Sequence, residues 1–239
     1  MFYIELKRSI HNKTILYLMT VTVLAHIMGW VLPWGLEGID NISYEYYMFS
    51  TYTVFTQFGF LLFGFVTAYF YNKDYRDKNT IFFNAFGMNA YKYYFIKVTV
   101  LMLEEFICLL ICSIGSLVVF HSNKFFVFGL LFFSAITLQY FMIVGAISLI
   151  CKNMLLALGI SISYWIISIV LISFGGFFKY LAVFDASNSL YSYVEQFLGG
   201  KGQIPTTCIE DIAVEFIILI LSIIVICTCC RNSWIKKGV

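Results

Sequence analysis

Six stretches of this chain are each long and apolar enough to cross a bilayer as a helix, and that excludes most folds. They lie near Thr14–Leu32, Phe49–Tyr71, Tyr94–Phe120, Phe125–Ile150, Met154–Phe178 and Ile212–Cys229. A helix of about 20 residues spans the roughly 30 Å of hydrocarbon. Inside lipid every backbone polar group must be satisfied without water, so only helices and closed barrels cross. The stretches lack the strict alternation of a barrel. The expected fold class is therefore an all-α integral membrane protein with six transmembrane helices. The chain is 61% hydrophobic and 12% charged, against about 25% charged in a soluble domain. With only 2 Pro, the helices are expected to run largely unbroken. Met1–Lys13 is too polar for a signal peptide, and no small-residue cleavage site follows the first apolar run.

Basic residues orient the spans. Of the 15 Lys and Arg, only Lys124, Lys179 and Lys201 fall on one side when both termini are placed on the other. Basic residues collect in cytoplasmic loops, so both termini are expected in the cytoplasm of a multi-pass membrane protein. Glu37, Asp40, Glu45, Asp185, Glu195, Glu210 and Asp211 collect on the outer side. Trp30, Trp34 and Trp234 fall near the interfaces, as an aromatic belt would. The net charge of +2 argues against a nucleic-acid partner.

No break in composition divides residues 1–239, which read as one transmembrane domain with three pieces outside the spans. Residues 1–13 put Phe2, Tyr3, Leu6 and Ile10 on one stripe, with Glu5, Lys7 and Arg8 off it, the pattern of an interfacial helix. Residues 72–93 form a loop with a mixed-charge entrance, Lys73 to Lys78. Asn79 or Thr80 can cap a short helix carrying Ile81, Phe82, Phe83 and Phe86, and Gly87 can end it. Tyr91, Tyr93 and Tyr94 follow, with Lys92 and Lys97 as interface anchors. This loop either rests on headgroups or buries its aromatics in a partner protein. In the outer segment 179–211, Asn188 can cap a helix whose Leu190, Tyr193, Val194 and Phe197 share a face before Gly199-Gly200 stops it.

Glu104 and Glu105 lie about ten residues into the third span, roughly 15 Å deep. His26 sits at a similar depth in the first and could pair with one of them. Intramembrane carboxyls are costly and face a bundle interior or wet cavity. They could relay protons, contact a cationic substrate, or brace helices by hydrogen bonds. Glu215, near the outer end of the last span, reads as interfacial. The 7 Cys show no zinc spacing and read as small apolar filler. There is no G-x-x-x-x-G-K-[ST], H-E-x-x-H or G-x-S-x-G motif, so neither a phosphate-binding loop nor these hydrolase sites are present.

The pattern of ELKRSIHNKT at Glu5–Thr14, DYRDKNTIFFNAFG at Asp74–Gly87, Tyr-x-x-Lys at Tyr94–Lys97 and an outer helix before the sixth span resembles the permease subunits of the ABC-2 superfamily of ABC transporters. The size is similar to that of Gram-positive lantibiotic-immunity and amphipathic-peptide exporter permeases. The resemblance implies a permease of the bacterial cytoplasmic membrane that exports amphipathic or antimicrobial peptides for self-immunity or toxin efflux. Small drugs or ions in the same fold, or a membrane-embedded enzyme using Glu104, Glu105 and His26, are the alternatives. It implies a coupling helix of Asn79, Thr80, Ile81, Phe82, Phe83, Phe86 and Gly87 docking on a separate ATPase subunit present in two copies. ATP and Mg would be bound there and no cofactor by this chain. A second permease chain, identical or paralogous, would complete the channel.

Overall fold

A computed structural model of the chain describes residues 1–151, 153–200 and 204–237, with the backbone alone at 84 and 230–237. Lys152 and Lys201 of the charge pattern lie outside the described residues, as do the side chains of Arg231, Trp234, Lys236 and Lys237. The described residues form ten α-helices and no strand. They are α1 (Phe2–His11), α2 (Thr14–Glu37), α3 (Tyr44–Gln57), α4 (Gly59–Arg76), α5 (Asn79–Ala85), α6 (Ala90–Phe120), α7 (Phe126–Ile150), α8 (Met154–Ile172), α9 (Ser189–Leu198) and α10 (Thr206–Lys237). A 3-10 turn covers Gly176–Leu181. Five helices are long and apolar enough to cross a membrane, and α3 with α4 would make a sixth span.

That sixth span is broken, against the expectation from proline scarcity. Its two halves meet at Phe58 with a bend of 51°. The cause is a side chain from α7. The Tyr140 hydroxyl donates to the Phe55 carbonyl at 2.9 Å and lies 3.3 Å from that of Thr56. A side chain inserted into the helical ladder is a recognised source of kinks. The next residue, Gly59, leaves room for it: a Cβ there would lie 2.9 Å from the Tyr140 ring.

Helix α7 is the centre of the bundle, packed against α3, α4, α6, α8 and α10. Its neighbours are joined by tyrosines as well as by apolar packing. The Tyr71 hydroxyl donates to the Tyr94 carbonyl at 3.2 Å, Tyr94 to Met142 at 2.7 Å and Tyr75 to Leu149 at 2.9 Å. Each buries a ring and satisfies its polar tip on a neighbouring backbone. These bonds tie α4 to α6, α6 to α7 and α4 to α7.

One end of the bundle carries Glu45, Lys124, Lys179 and Asp211; the other carries α1, α5 and the basic residues Lys73, Arg76, Lys78 and Lys92. We call these the acidic and the basic end. At the acidic end α9 folds back onto the bundle. Leu190, Val194 and Leu198 are buried, while Tyr193 and Phe197 are half-buried. Asn188 does stand at the N-cap, but its amide donates to the Lys179 carbonyl at 2.6 Å instead of capping α9. The fold is thereby stitched to the 3-10 turn.

Gly29 marks the closest approach of α2 and α3. A Cβ there would stand 2.8 Å from the Thr51 Cα, so the two backbones would have to separate. Gly29→Ala should therefore lower the detergent-solubilised melting midpoint, with an over-packing cost of about 1–3 kcal/mol. Gly115→Ala, where a Cβ meets nothing within 4 Å, should not. Equal midpoints for the two variants would contradict this packing.

Candidate functional site

The basic end holds a buried cluster of four charges. Helix α1 turns its polar face inward: Glu5 and Ser9, one turn apart, are buried, while Phe2, Tyr3, Ile4 and Ile10 are exposed. Of the apolar stripe, Phe2, Tyr3 and Ile10 are thus left on the outside, while Leu6 packs against the core. Asp74 comes from the last turns of α4. Tyr93 and Lys97, four residues apart on one face of α6, come from opposite. Arg8 Nη2 lies 2.5 Å from Asp74 Oδ1 and 2.8 Å from Glu5 Oε1. Lys97 Nζ lies 2.7 Å from Asp74 Oδ2 and 3.1 Å from Glu5 Oε1, and donates to the Phe70 carbonyl at 3.0 Å. The ammonium is thus ringed by three oxygens within 3.1 Å. The Tyr93 hydroxyl donates to Asp74 Oδ2 at 2.9 Å.

Two cations face two carboxylates, so the cluster is neutral. Lys97, Asp74 and Glu5 side chains are 1%, 2% and 4% exposed. Burial discourages the Arg8 charge, but the Asp74 and Glu5 carboxylates outweigh it and raise its pKa. Lys97 is therefore not the interface anchor expected from the sequence; it is one of the most enclosed groups in the molecule. A buried charge like this is tolerated only with its partners in place.

Helix α5 sits on this cluster and has two unlike faces. Lys78, in the left-handed region at φ 55°, turns the chain into it, and Gly87, at φ 72°, ends it. Asn79 is the first helical residue; its amide reaches Asp74 Oδ1 at 3.4 Å. Thr80 and Phe83 are buried. The Arg8 guanidinium lies 5.0 Å from the centre of the Phe83 ring, and the Tyr93 ring is tilted against it with centroids 5.8 Å apart. Ile81, Phe82 and Phe86 point the other way and are exposed, with Phe82 and Phe86 in contact at 4.6 Å. The aromatics of this loop are thus not equivalent: Phe83 is committed inside, Phe82 and Phe86 are free outside.

Within the spans, Glu104 and Glu105 diverge as adjacent helical positions must. The Thr22 hydroxyl lies 2.9 and 3.1 Å from the two oxygens of Glu105. Glu104, 1% exposed, has no hydrogen-bond partner on either oxygen; the Ser9 hydroxyl stands near it without closing a bond. His26 pairs with neither carboxyl, contrary to expectation. Its Nδ1 meets the Thr22 carbonyl at 2.9 Å, and its ring lies edge-on to Phe55 and Phe133. Depth was similar, but the imidazole is turned toward α3 and α7. Glu215 is not interfacial either: it is fully buried and accepts from Gln139 Nε2 at 2.9 Å. A facing amide on α7 draws it inward. Among the described residues no group of His, Cys, Asp and Glu could hold a metal ion.

The charge cluster generates one prediction. Asp74→Asn leaves an uncompensated buried cation and should cost about 3 kcal/mol, read as a lower melting midpoint in detergent. Asp74→Asn with Lys97→Met restores neutrality and should recover part of that loss. Purely additive effects in this double-mutant cycle would mean the two groups do not interact. The intramembrane carboxyls generate another. Gln keeps hydrogen-bonding capacity without charge, so Glu105→Gln should preserve transport if the residue only braces α2. Loss of transport in a well-folded Glu105→Gln or Glu104→Gln chain would assign that carboxyl to ion or substrate handling.

Comparison with known proteins agrees with a transport role. The family model described as the peptide export permease protein YydJ family matches residues 2–239. A relative from Bacillus subtilis (strain 168), described as a probable peptide export permease protein YydJ, is 36% identical over 244 residues, covering 98% of this chain and 99% of the relative. No solved structure matches. An all-helical bundle with five or six candidate spans and a family match along nearly the whole chain leads to one conclusion: this chain belongs to the YydJ family of peptide export permeases.

Proposed function

We propose that the chain is the membrane-spanning subunit of an ATP-driven exporter of amphipathic peptides, with α5 as the element that docks on a separate ATPase. The observation that carries this is the division of α5. Its inner face is held by a charge cluster joining α1, α4 and α6. Its outer face leaves Ile81, Phe82 and Phe86 exposed among the described residues. A helix lying passively on headgroups has no need of such a rigid mount. A helix that must transmit a push from another protein does, because force passes only through elements that do not yield.

The positive-inside pattern favours placing α5 and both termini in the cytoplasm of a bacterium. ATP and Mg would then be bound by two ATPase subunits, and a second permease chain, identical or paralogous, would complete the path. This chain would do no covalent chemistry. The relative's description as a probable peptide export permease supports a peptide as cargo. Self-immunity against an antimicrobial peptide, or efflux of a toxin peptide, is the role we favour for such cargo.

The test separates the two faces of α5. Truncating a centrally buried aromatic at an interface costs about 2 kcal/mol or more, roughly thirtyfold in affinity. Phe82→Ala with Phe86→Ala should weaken co-purification of the ATPase by that order while leaving the melting midpoint unchanged. Phe83→Ala should do the reverse first: it loosens α5 from Arg8 and Tyr93 and lowers the midpoint. Full ATPase recruitment and full peptide resistance in the Phe82/Phe86 double variant would sink the docking assignment.

A further inference from the structure

The space beside α4 is divided by polarity. At the basic end a chamber of about 570 Å³ is lined by Asn72, Lys73, Arg76, Lys78 and Ile81, among others. Next to it, between α2 and α4, runs a groove of about 800 Å³ lined by Tyr17, Val21, Leu61, Phe65, Tyr69 and Met154, among others. Tyr69 and Met154 line both, so the two adjoin, and we call the pair one hollow. Its polar part is cationic. Lys73 gives one bond to the Asn12 amide oxygen at 2.7 Å, and Arg76 meets Asp77 at 3.2 Å. Three positive charges thus stand against a single adjacent carboxylate. Asn72, 7% exposed and part of the chamber lining, has an Oδ1 without any hydrogen-bond partner.

We propose that this hollow is a binding site for one anionic phospholipid with a hydroxylated headgroup, of the phosphatidylglycerol type. The phosphate would lie among Lys73, Arg76 and Lys78, a headgroup hydroxyl would donate to Asn72 Oδ1, and an acyl chain would fill the groove. The dimensions agree. From Arg76 to Leu61 the lining follows α4 for about 22 Å at 1.5 Å per residue, about half of a bilayer including its headgroup layer. Basic pockets between transmembrane helices at the membrane surface have the chemistry that selects acidic headgroups. A cationic amphipathic peptide would be repelled by the same three charges, and a small soluble anion has no use for the apolar groove. Because Lys78 and Ile81 also belong to the turn and face of α5, the headgroup would touch the element that we assign to ATPase docking. The lipid site itself stands whatever the chain exports.

The test uses the full-length chain in detergent, given equal amounts of phosphatidylglycerol and phosphatidylcholine with the same acyl chains. Native mass spectrometry counts the bound lipid. The chain should prefer phosphatidylglycerol by about tenfold or more, and Lys73→Gln/Arg76→Gln/Lys78→Gln should bring the ratio near parity. Lys78→Asn, in which the new residue suits the left-handed backbone, should lower it severalfold without disturbing the fold. If the triple variant does not elute as the native protein does, Lys78→Asn decides. An unchanged preference in either well-folded variant overturns the proposal. So does displacement of the lipid by inorganic phosphate alone, which would make the site one for a soluble anion. Efficient cross-linking between two copies through a Cys placed at Phe65 would also overturn it, because the groove would then be covered by a second chain.

Discussion

The Asp74 carboxylate, enclosed between Arg8 and Lys97, is the interaction on which the basic end depends. It brings together α1, α4 and α6, the last two of which also meet through the Tyr71 and Tyr93 rings. Helix α1 has only ten residues, and an isolated helix of that length is marginal in water. What holds it is this cluster, together with packing on α2 and α6 that includes Leu6. The cluster contributes little net stability, since desolvation offsets most of the attraction. Its effect is on geometry. Lys97 can be buried only when Glu5, Asp74 and the Phe70 carbonyl are all in position, so α1, α4 and α6 have a single way of meeting. Helix α5 inherits that position through Arg8, Tyr93 and Asn79.

Polar satisfaction recurs through the bundle in a different chemistry. Tyrosine hydroxyls on α4, α6 and α7 donate to carbonyls of adjacent helices, where apolar packing alone would leave the helices free to slide. Lipid tails are as apolar as Leu, so helices within the membrane gain specificity from hydrogen bonds and close fit. Glu104 departs from this pattern, a buried carboxyl with neither oxygen hydrogen-bonded among the described residues.

The helical class and most spans were legible because hydrophobic length is a local property. So was α5, marked by its aromatics and by Gly87, and so was α9, marked by its apolar face. What stayed hidden depended on residues distant in sequence. The bend at Phe58 has no proline; its cause is Tyr140, which reaches across from α7. Lys97 looked like a snorkelling residue because long basic side chains at span ends usually are, and its carboxylate partners lie in α1 and α4. His26 and the two glutamates matched in depth but not in direction, and depth is all that counting residues supplies.

The bend has a mechanical meaning. A straight span moves as one rod, so displacement at one end is carried unchanged to the other. Here the span is two rods joined at Phe58. The lower rod, α4, has 18 residues, an arm of about 27 Å. A shift of about 3 Å at its Arg76 end would turn it by only about 6° about the joint, while α3 stayed clamped by α2, α7 and α9. The Tyr140 phenol stands at the fulcrum, bonded to the carbonyls whose ladder it interrupts. A joint of this kind would let a displacement at the basic end be absorbed at Phe58 before it reached α3.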